Sequence, residues 1–221
     1  APHAVKKNGH GPVQINALSG YYMEGFEGSF PPADWQVIDV QDPTYLWEQS
    51  TLLPYAGASS AYISYTSTIG VTGEDWMIMP QFSVISTDSF SFWLAAQFIP
   101  YPPDTTYILV STTDSMPSSF TTVLATLAEG SNYPSAAGVY QNYAYSLSAY
   151  AGQDIFVAIV NTNDYGDGVF LDNVAIGTKP GTDATSYSID VPSYTQAGIT
   201  NNPLATVLNN GSTTQTFDVT M

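Results

Sequence analysis

The sequence predicts an all-β protein with the architecture of a jelly-roll β-sandwich. Short runs of β-branched and aromatic residues recur along most of the chain, separated by Gly, Pro, Asp and Ser, which is typical of many strands joined by turns. Within residues 89–98, SFSFWLAAQF, the side chains of Phe90, Phe92 and Leu94 fall on one face, as expected for a strand that lines a core. Helical periodicity is nearly absent, so a sandwich is favoured over an α/β fold.

The predicted strands follow one another at short intervals. The run DIFVAIV at residues 154–160 is apolar on both faces, as expected for a central strand that is packed on two sides. Residues 118–130 form the one plausible helix, although the same segment also fits a strand after a turn. In chain order the predicted strands cover residues 20–26, 35–40, 61–67, 75–84, 89–98, 106–113, 144–150, 154–162 and 168–177.

The distribution of these strands predicts four segments. Residues 1–19 lack an apolar run and form an N-terminal arm or linker, residues 20–178 form the jelly roll, and Pro, Gly and Thr indicate a linker at 179–186. Residues 187–221 contain strand-like pieces around an Asn-Gly turn, too few to bury a core alone. This segment therefore packs on the main domain, begins a second sandwich, or pairs with another chain.

The composition restricts the class of partner and the location. The 221 residues include 19 Asp and Glu against 3 lysines and no arginine, for a net charge of −16, and only 10% of residues are charged. Nucleic acid is excluded and anionic lipid is disfavoured, because both require a basic surface. No stretch has the length of a membrane span, and the largely neutral polar surface favours an extracellular or cell-surface protein.

The residue types that catalysis usually requires are missing. The histidines are His3 and His10, both in the N-terminal arm, so the predicted domain has no base for a Ser-His-Asp triad and no His-based zinc site. The absence of cysteine excludes thiol catalysis and disulfides. A carboxylate pair for glycoside hydrolysis remains an alternative, but the sequence favours a protein that is not an enzyme. The candidates for such a pair are Glu24, Glu27, Glu48, Glu74 and Glu129.

Asp172 interrupts an apolar strand, VFLDNVAI at residues 169–176. A buried carboxylate without a partner costs several kcal/mol or raises its pKa. With no arginine in the chain and no lysine nearby, either a cation or several backbone N–H groups must satisfy it, unless Asp172 caps a turn in solvent. Upstream, residues 162–168, TNDYGDG, are similar to a short Asp/Asn/Gly calcium loop, but they lack the Glu of an EF-hand and also fit a hairpin turn.

Segments along residues 21–178 together resemble the cleaved-adhesin, or choice-of-anchor, family. They are EGFEGSFPPADWQVIDV, EDWMIMPQFSV, SFSFWLA, YILVSTT and VFLDNVAI, in that order. The resemblance implies a MAM-like jelly roll of secreted Bacteroidetes proteins, with a structural Ca²⁺ where the first and last strands meet. It assigns Glu27 and Asp172 as ligands, with Asp39 and Glu24 as further candidates, while Asn173 stands where many relatives have a second Asp. The tail, residues 189–220, resembles the opening strands of an Ig-like domain.

The function predicted from this resemblance is a non-catalytic extracellular adhesin or binding module, stabilised by Ca²⁺, whose partner is a protein or a glycan at a surface. Tyrosine-rich loops suit recognition because tyrosine offers a rigid amphipathic area. One alternative is a structural subunit of a filament or surface layer that self-associates through its C-terminal strands, and another is a carbohydrate-binding module with a row of exposed aromatic rings. The candidate binding residues are Tyr101, Tyr107, Tyr133, Tyr140 and Tyr143.

Overall fold

Antiparallel strands make up most of the protein. The structure, a computed structural model, describes residues 17–40, 45–65, 72–98, 104–164 and 166–181 in full, and residues 184–190 and 204–209 as strands. The helical segments in these ranges are single 3-10 turns at Pro117–Ser119 and Ser148–Tyr150. The predicted all-β class is confirmed.

The strands before residue 178 form a sandwich of two sheets. The strands are β1 (Tyr21–Glu24), β2 (Gln36–Asp39), β3 (Glu48–Ser50), β4 (Ser60–Ile63), β5 (Gly73–Ile78), β6 (Phe82–Ser83), β7 (Ser89–Ala96), β8 (Thr105–Ser111), β9 (Thr122–Ala128), β10 (Gln141–Ser146), β11 (Asp154–Asn163) and β12 (Val169–Gly177). In the first sheet the order is β10-β7-β12-β4-β3, and β1 also pairs with β12. In the second sheet the order is β2-β5-β11-β8-β9, and β6 also pairs with β11.

The core lies between the two sheets. In β7, Phe90, Phe92 and Leu94 are fully buried and belong to the same apolar cluster as Ile159 of β11 and Leu171 of β12. This is the alternation that the sequence predicts for β7. A second, smaller cluster around Trp76 and Phe120 includes Ala158 and Val160 of β11, whose side chains alternate with the core-facing ones, so β11 is apolar on both faces.

The structure resolves one open assignment and differs from the sequence prediction at three places. Residues 118–130, left open between helix and strand, form the end of a 3-10 turn and then β9. The strand predicted over 75–84 divides into β5 and β6 around Pro80, which has no N–H to donate to a sheet. β10 begins three residues before the predicted 144–150, and the polar strand β3 was not predicted because its residues lack β propensity.

Residues 178–221 form a unit of their own. Its described strands are β13 (Ala184–Asp190) and β14 (Leu204–Asn209), which pair with each other in an antiparallel sheet. The sequence predicts an Ig-like segment here, and the described part of it consists of this one strand pair.

Core truncation should be costly in β7 and nearly neutral at the edge of the second sheet. Leu94→Ala removes a fully buried side chain and should lower the free energy of unfolding by about 2–5 kcal/mol. Val123→Ala in β9, where the side chain is 57% exposed, should change it by less than about 1 kcal/mol. Urea unfolding of both variants measures the difference, and similar losses would contradict the assignment of β7 to the core.

Candidate functional site

Asp172 lies where β12 changes its neighbour. On one edge, β12 pairs with β4 up to Leu171, opposite Ala61, and with β1 from Val174, opposite Glu24. Between these two partners the register with β7 shifts after Asp172, and Asn173 adopts a φ of 46°. Asp172 is therefore placed in a break of the hydrogen-bonded ladder, where its side chain is fully buried at 0% exposure.

Backbone N–H groups satisfy the Asp172 carboxylate. Tyr55 and Ala56 donate to Oδ2 at 2.8 and 3.1 Å, and Asn173 donates to Oδ1 at 2.6 Å. Burial raises the pKa of Asp172, these N–H groups lower it, and the nearby negative charge of Glu27 raises it again. Of the two solutions that the sequence allowed, a cation or several N–H groups, the second is visible in the structure.

Glu27 is held by the next residues of the same loop. Ala58 donates to both carboxylate oxygens at 3.0 and 3.1 Å, and Ser59 donates to Oε1 at 3.2 Å. Between the two groups of donors, Gly57 has a φ of 69°, and a Cβ at this position would overlap Oε1 of Glu27. Only glycine combines this backbone conformation with so close an approach. Residues 55–59 therefore form a clamp around two carboxylates, which we call the carboxylate clamp.

The other predicted metal ligands are placed differently. Glu24 accepts hydrogen bonds from the Phe26 N–H at 2.6 Å and from the Tyr22 hydroxyl at 3.2 Å, so it stabilises the turn that leads to Glu27. Asp39 lies in β2 of the second sheet, opposite Asp75, and the structure does not bring it to the clamp. Within the described ranges, no group of three or more Asp, Glu, His or Cys side chains is close enough to hold a metal.

The clamp loop carries an aromatic surface. Tyr55 stacks on Trp93 with ring centroids 3.9 Å apart and an interplanar angle of 15°. The ring of Tyr140 packs edge-on against Tyr55, with centroids 5.4 Å apart. The Tyr140 hydroxyl donates to the Leu53 carbonyl at 2.6 Å. Tyr55 remains 41% exposed. Because Trp93 alternates with the core residues of β7, this aromatic group lies on the outer face of the first sheet.

The predicted binding tyrosines have several environments. Tyr133 and Tyr143 are buried in the core cluster, so their rings cannot belong to a contact surface. Tyr107 is half-buried against the smaller cluster on the second sheet, and Tyr101 lies outside the described residues. Of the four predicted tyrosines that the structure describes, Tyr140 is the one that joins the Tyr55 group.

Sequence reasoning did not identify Tyr55 or the clamp loop. The segment YAGAS at residues 55–59 has small residues that let backbone N–H groups approach a carboxylate, and a single glycine that suits a positive φ. This signal is weak, because the sequence alone does not show which carboxylate such a segment meets.

The curated relatives that this chain matches are much longer proteins. The chain is 26% identical over 188 residues to Hemagglutinin A of Porphyromonas gingivalis, which covers 75% of this chain and 7% of that protein. A second Hemagglutinin A, from strain W83, is 25% identical over 188 residues, and 9% of its length is covered. The chain therefore spans less than a tenth of the curated relatives that it matches.

Solved structures of adhesin domains share the fold. The K1 Cleaved Adhesin domain of Lys-gingipain from P. gingivalis W83 superposes with a TM-score of 0.56 at 22% identity, covering 72% of this chain and 98% of that one. The K2 domain gives 0.55 at 18% identity, with 72% and 100% covered. A family model described as Cleaved Adhesin Domain matches residues 21–176. Because this match covers most of the chain, the protein belongs to the cleaved adhesin domain family.

Proposed function

We propose that this protein is a non-catalytic extracellular binding module that contacts a protein or glycan through the outer face of its first sheet. The observation that carries this proposal is the exposed ring of Tyr55, stacked on Trp93 and held by the carboxylate clamp. Exposed aromatic rings on a rigid support are frequent centres of binding energy. Membership of an adhesin family and the name of its hemagglutinin relatives support a surface ligand.

An extracellular or cell-surface location agrees with this function. The relatives are hemagglutinins, and the chain has few charged residues and no cysteine. No helix among the described residues is long and apolar enough to cross a membrane.

Removal of the Tyr55 ring should weaken binding with little effect on the fold. Beads coated with the full chain are expected to bind erythrocytes, the cells that a hemagglutinin clusters, and Tyr55→Ala should reduce this binding about tenfold, which corresponds to about 1.4 kcal/mol. Ile85→Ala, which truncates another exposed apolar side chain, serves as the matched control. Equal binding by Tyr55→Ala and wild type, with both proteins folded, would place the contact surface elsewhere.

A carbohydrate ligand is the alternative within this proposal. Trp35, Trp47 and Trp76 are buried, so Trp93 is the tryptophan that contributes to the aromatic surface, where it stacks on Tyr55. A pair of stacked rings suits one sugar ring or one protein side chain. Inhibition of bead binding by short neutral oligosaccharides would identify the sugar, and failure of all of them would favour a protein ligand.

We further propose that a Ca²⁺ ion binds at the carboxylate clamp, between Glu27 and Asp172. Glu27 and Asp172 are brought together beside the same loop, and no arginine exists to neutralise them. An ionised carboxylate has about four acceptor sites, and each of these two accepts three backbone hydrogen bonds, which leaves about one site each for a hard cation. Glu27 and Asp172 would hold the ion, which would supply the positive charge that the N–H groups supply in part.

Calcium removal should then lower the unfolding midpoint in a way that depends on Asp172. At a calcium concentration of about one hundred times Kd, a site that exists in the native state alone adds about 2.7 kcal/mol. Asp172→Asn should lose the contribution of this site, whereas Asp34→Asn, which changes an exposed carboxylate in a turn, should retain it. Thermal unfolding in EDTA and in calcium measures the calcium response of each variant. An unchanged calcium response in Asp172→Asn would mean that the N–H groups satisfy the carboxylate alone.

Self-association is a second candidate function, favoured by the strand pair at 184–190 and 204–209. A two-stranded sheet has two edges and is at best marginally stable by itself, so a neighbouring chain could extend it by strand addition. Analytical ultracentrifugation of the full chain should then show oligomers that increase with concentration. A monomer at all concentrations up to about 100 µM, far above the roughly micromolar range of useful association, would reject this candidate.

A further inference from the structure

The open edge of the first sheet is an exposed feature that lies next to the aromatic surface. β10 is the last strand on one side of this sheet, and among the described strands it pairs with β7 alone. Its six residues, QNYAYS, include no charge, no proline and no glycine. An edge strand presents a row of unpaired N–H and C=O groups, with which a strand of another chain can pair. The binding function proposed above does not use this edge.

The alternation of the ladder shows which residues of β10 face the open side. The register with β7 continues beyond Ser146 to Leu147, whose N–H donates to the carbonyl of Asp88 at 2.9 Å. In an antiparallel pair, hydrogen-bonded and non-hydrogen-bonded positions alternate. Because position 147 is hydrogen-bonded, positions 145, 143 and 141 also bond toward β7. The N–H and C=O groups of Asn142, Ala144 and Ser146 therefore point away from β7, and these residues are exposed.

The other margins of the sandwich are protected against strand addition. β9 ends the second sheet, but its register with β8 shifts between Ile108 and Leu109. The Asn132 side chain also accepts from the N–H of Ala128 at 2.9 Å and donates to the carbonyl of Thr126 at 2.8 Å. β1, β2, β3 and β6 have four residues or fewer. Short strands, irregular register and covered backbone groups all hinder pairing, and within the described sandwich β10 is the margin without any of them.

The aromatic surface adjoins this edge on the outer face of the sheet. Tyr140 directly precedes β10, and its ring packs edge-on against Tyr55. Asn142 lies opposite Trp93 in the register, so its side chain is on the same face as the stacked rings. Neighbouring strands are about 4.8 Å apart. A strand added to β10 therefore runs beside Asn142, and long side chains on its outer face reach the ring of Tyr55.

The inner side of the edge has a different character. Tyr143 and Tyr145 alternate with the outer-face residues, and both pack on Phe92, with ring centroids 5.5 and 6.4 Å apart. Tyr143 is buried, whereas Tyr145 is half-buried. An apolar side chain on the inner face of an added strand would cover the Tyr145 ring, as aromatic cross-strand pairs do in a regular sheet. The edge therefore distinguishes the two faces of an incoming strand.

The charge of the chain determines which strand is attracted. With a net charge of −16 and no arginine, the protein repels a second copy of itself and attracts a basic segment. β10 has no charge of its own, so it adds no local repulsion to either. A Lys or Arg side chain that lies over the exposed face of Tyr55 also gains a cation–π interaction.

We propose that an extended segment of another protein, with basic side chains on one face and apolar side chains on the other, adds to β10 as a further strand of the first sheet. This inference rests on the proposed function and deepens it, because it makes the ligand of the Tyr55 surface a protein. The outward N–H and C=O groups of Asn142, Ala144 and Ser146 supply the backbone hydrogen bonds that give affinity, and the alternating side chains give specificity. The basic face lies toward Tyr55 and the apolar face toward Tyr145.

The test uses the full chain and a defined peptide, acetylated and amidated VKVKVKV, in which basic and apolar side chains alternate. Titration calorimetry should show saturable binding with a Kd below about 1 mM. Binding should weaken as salt is added, since it depends in part on the net charge. Methyl groups on the backbone nitrogens of the lysines block antiparallel addition, and methyl groups on those of the valines block parallel addition. One of the two methylated peptides should lose binding, and equal binding by both would overturn the proposal.

A proline in β10 removes the edge without breaking the ladder. Ala144→Pro deletes an N–H that points away from β7, and proline is tolerated at such edge positions. It should weaken peptide binding at least about tenfold, whereas the matched control Ala144→Ser keeps the N–H and should bind as wild type does. Tyr55→Ala should weaken binding about two- to fivefold through the lost cation–π interaction. Full binding by a folded Ala144→Pro variant, or no peptide binding by wild type, would overturn the proposal.

Hydrogen exchange tests the same edge in the unmodified protein. The amides of Asn142, Ala144 and Ser146 should exchange fast in the free chain and slow down with bound peptide, while those of Tyr143 and Tyr145 are protected in both states. Unchanged exchange at saturation would overturn the assignment, and so would dimers of wild type that Ala144→Pro abolishes, since a second copy would then occupy the edge. If Tyr55→Ala loses erythrocyte binding but the peptide does not bind, the proposed function stands and strand addition alone is rejected.

Discussion

The shortage of positive side chains is the constraint on which much of this structure depends. With 19 acidic residues, 3 lysines and no arginine, a carboxylate that enters the protein cannot find the ion-pair partner that buried acids usually require. The backbone supplies the compensation instead. The buried Asp172 binds the N–H groups of Tyr55 and Ala56, and the buried Asp88 binds the N–H of Ile85. The exposed Glu27 binds the same loop through the N–H groups of Ala58 and Ser59. Each solution fixes the course of a loop.

The fixed loop in turn positions the aromatic surface. The N–H of Tyr55 points to Asp172, which sets the direction of the chain where the Tyr55 ring lies on Trp93. A loop held by hydrogen bonds to charged groups loses less conformational entropy when a ligand binds, so its side chains contribute more of their contact energy to affinity. Tyr55 thus connects the two features, because its N–H group binds the buried carboxylate of Asp172 and its ring forms the exposed surface. This connection explains why a binding module would keep a costly carboxylate inside a strand.

Much of the fold followed from the sequence, because alternation and turn residues act locally. β7, β11 and β12 were predicted within a few residues of their bounds, and Asp172 was singled out as a buried charge that needs a partner. Tyr55 could not be predicted as its neighbour, since a contact between residues 117 positions apart depends on how the loop crosses the sheet. The burial of Tyr133 and Tyr143 was missed for a related reason, because the sequence presents both in a predicted loop, whereas Tyr143 lies in β10 and both rings belong to the core cluster.

The charge balance also limits what the exposed surface can bind. A net charge of −16 repels acidic ligands at long range, although salt reduces this effect beyond about 8 Å at physiological ionic strength. Stacking on an aromatic ring is insensitive to salt and needs no opposite charge. A neutral sugar or an uncharged protein side chain is not repelled by the negative charge and can stack on the ring. A basic protein would in addition be attracted by the net negative charge of the chain. Salt should therefore weaken binding to a basic protein and leave binding to a neutral glycan almost unchanged, because only the first depends on the field of the whole molecule.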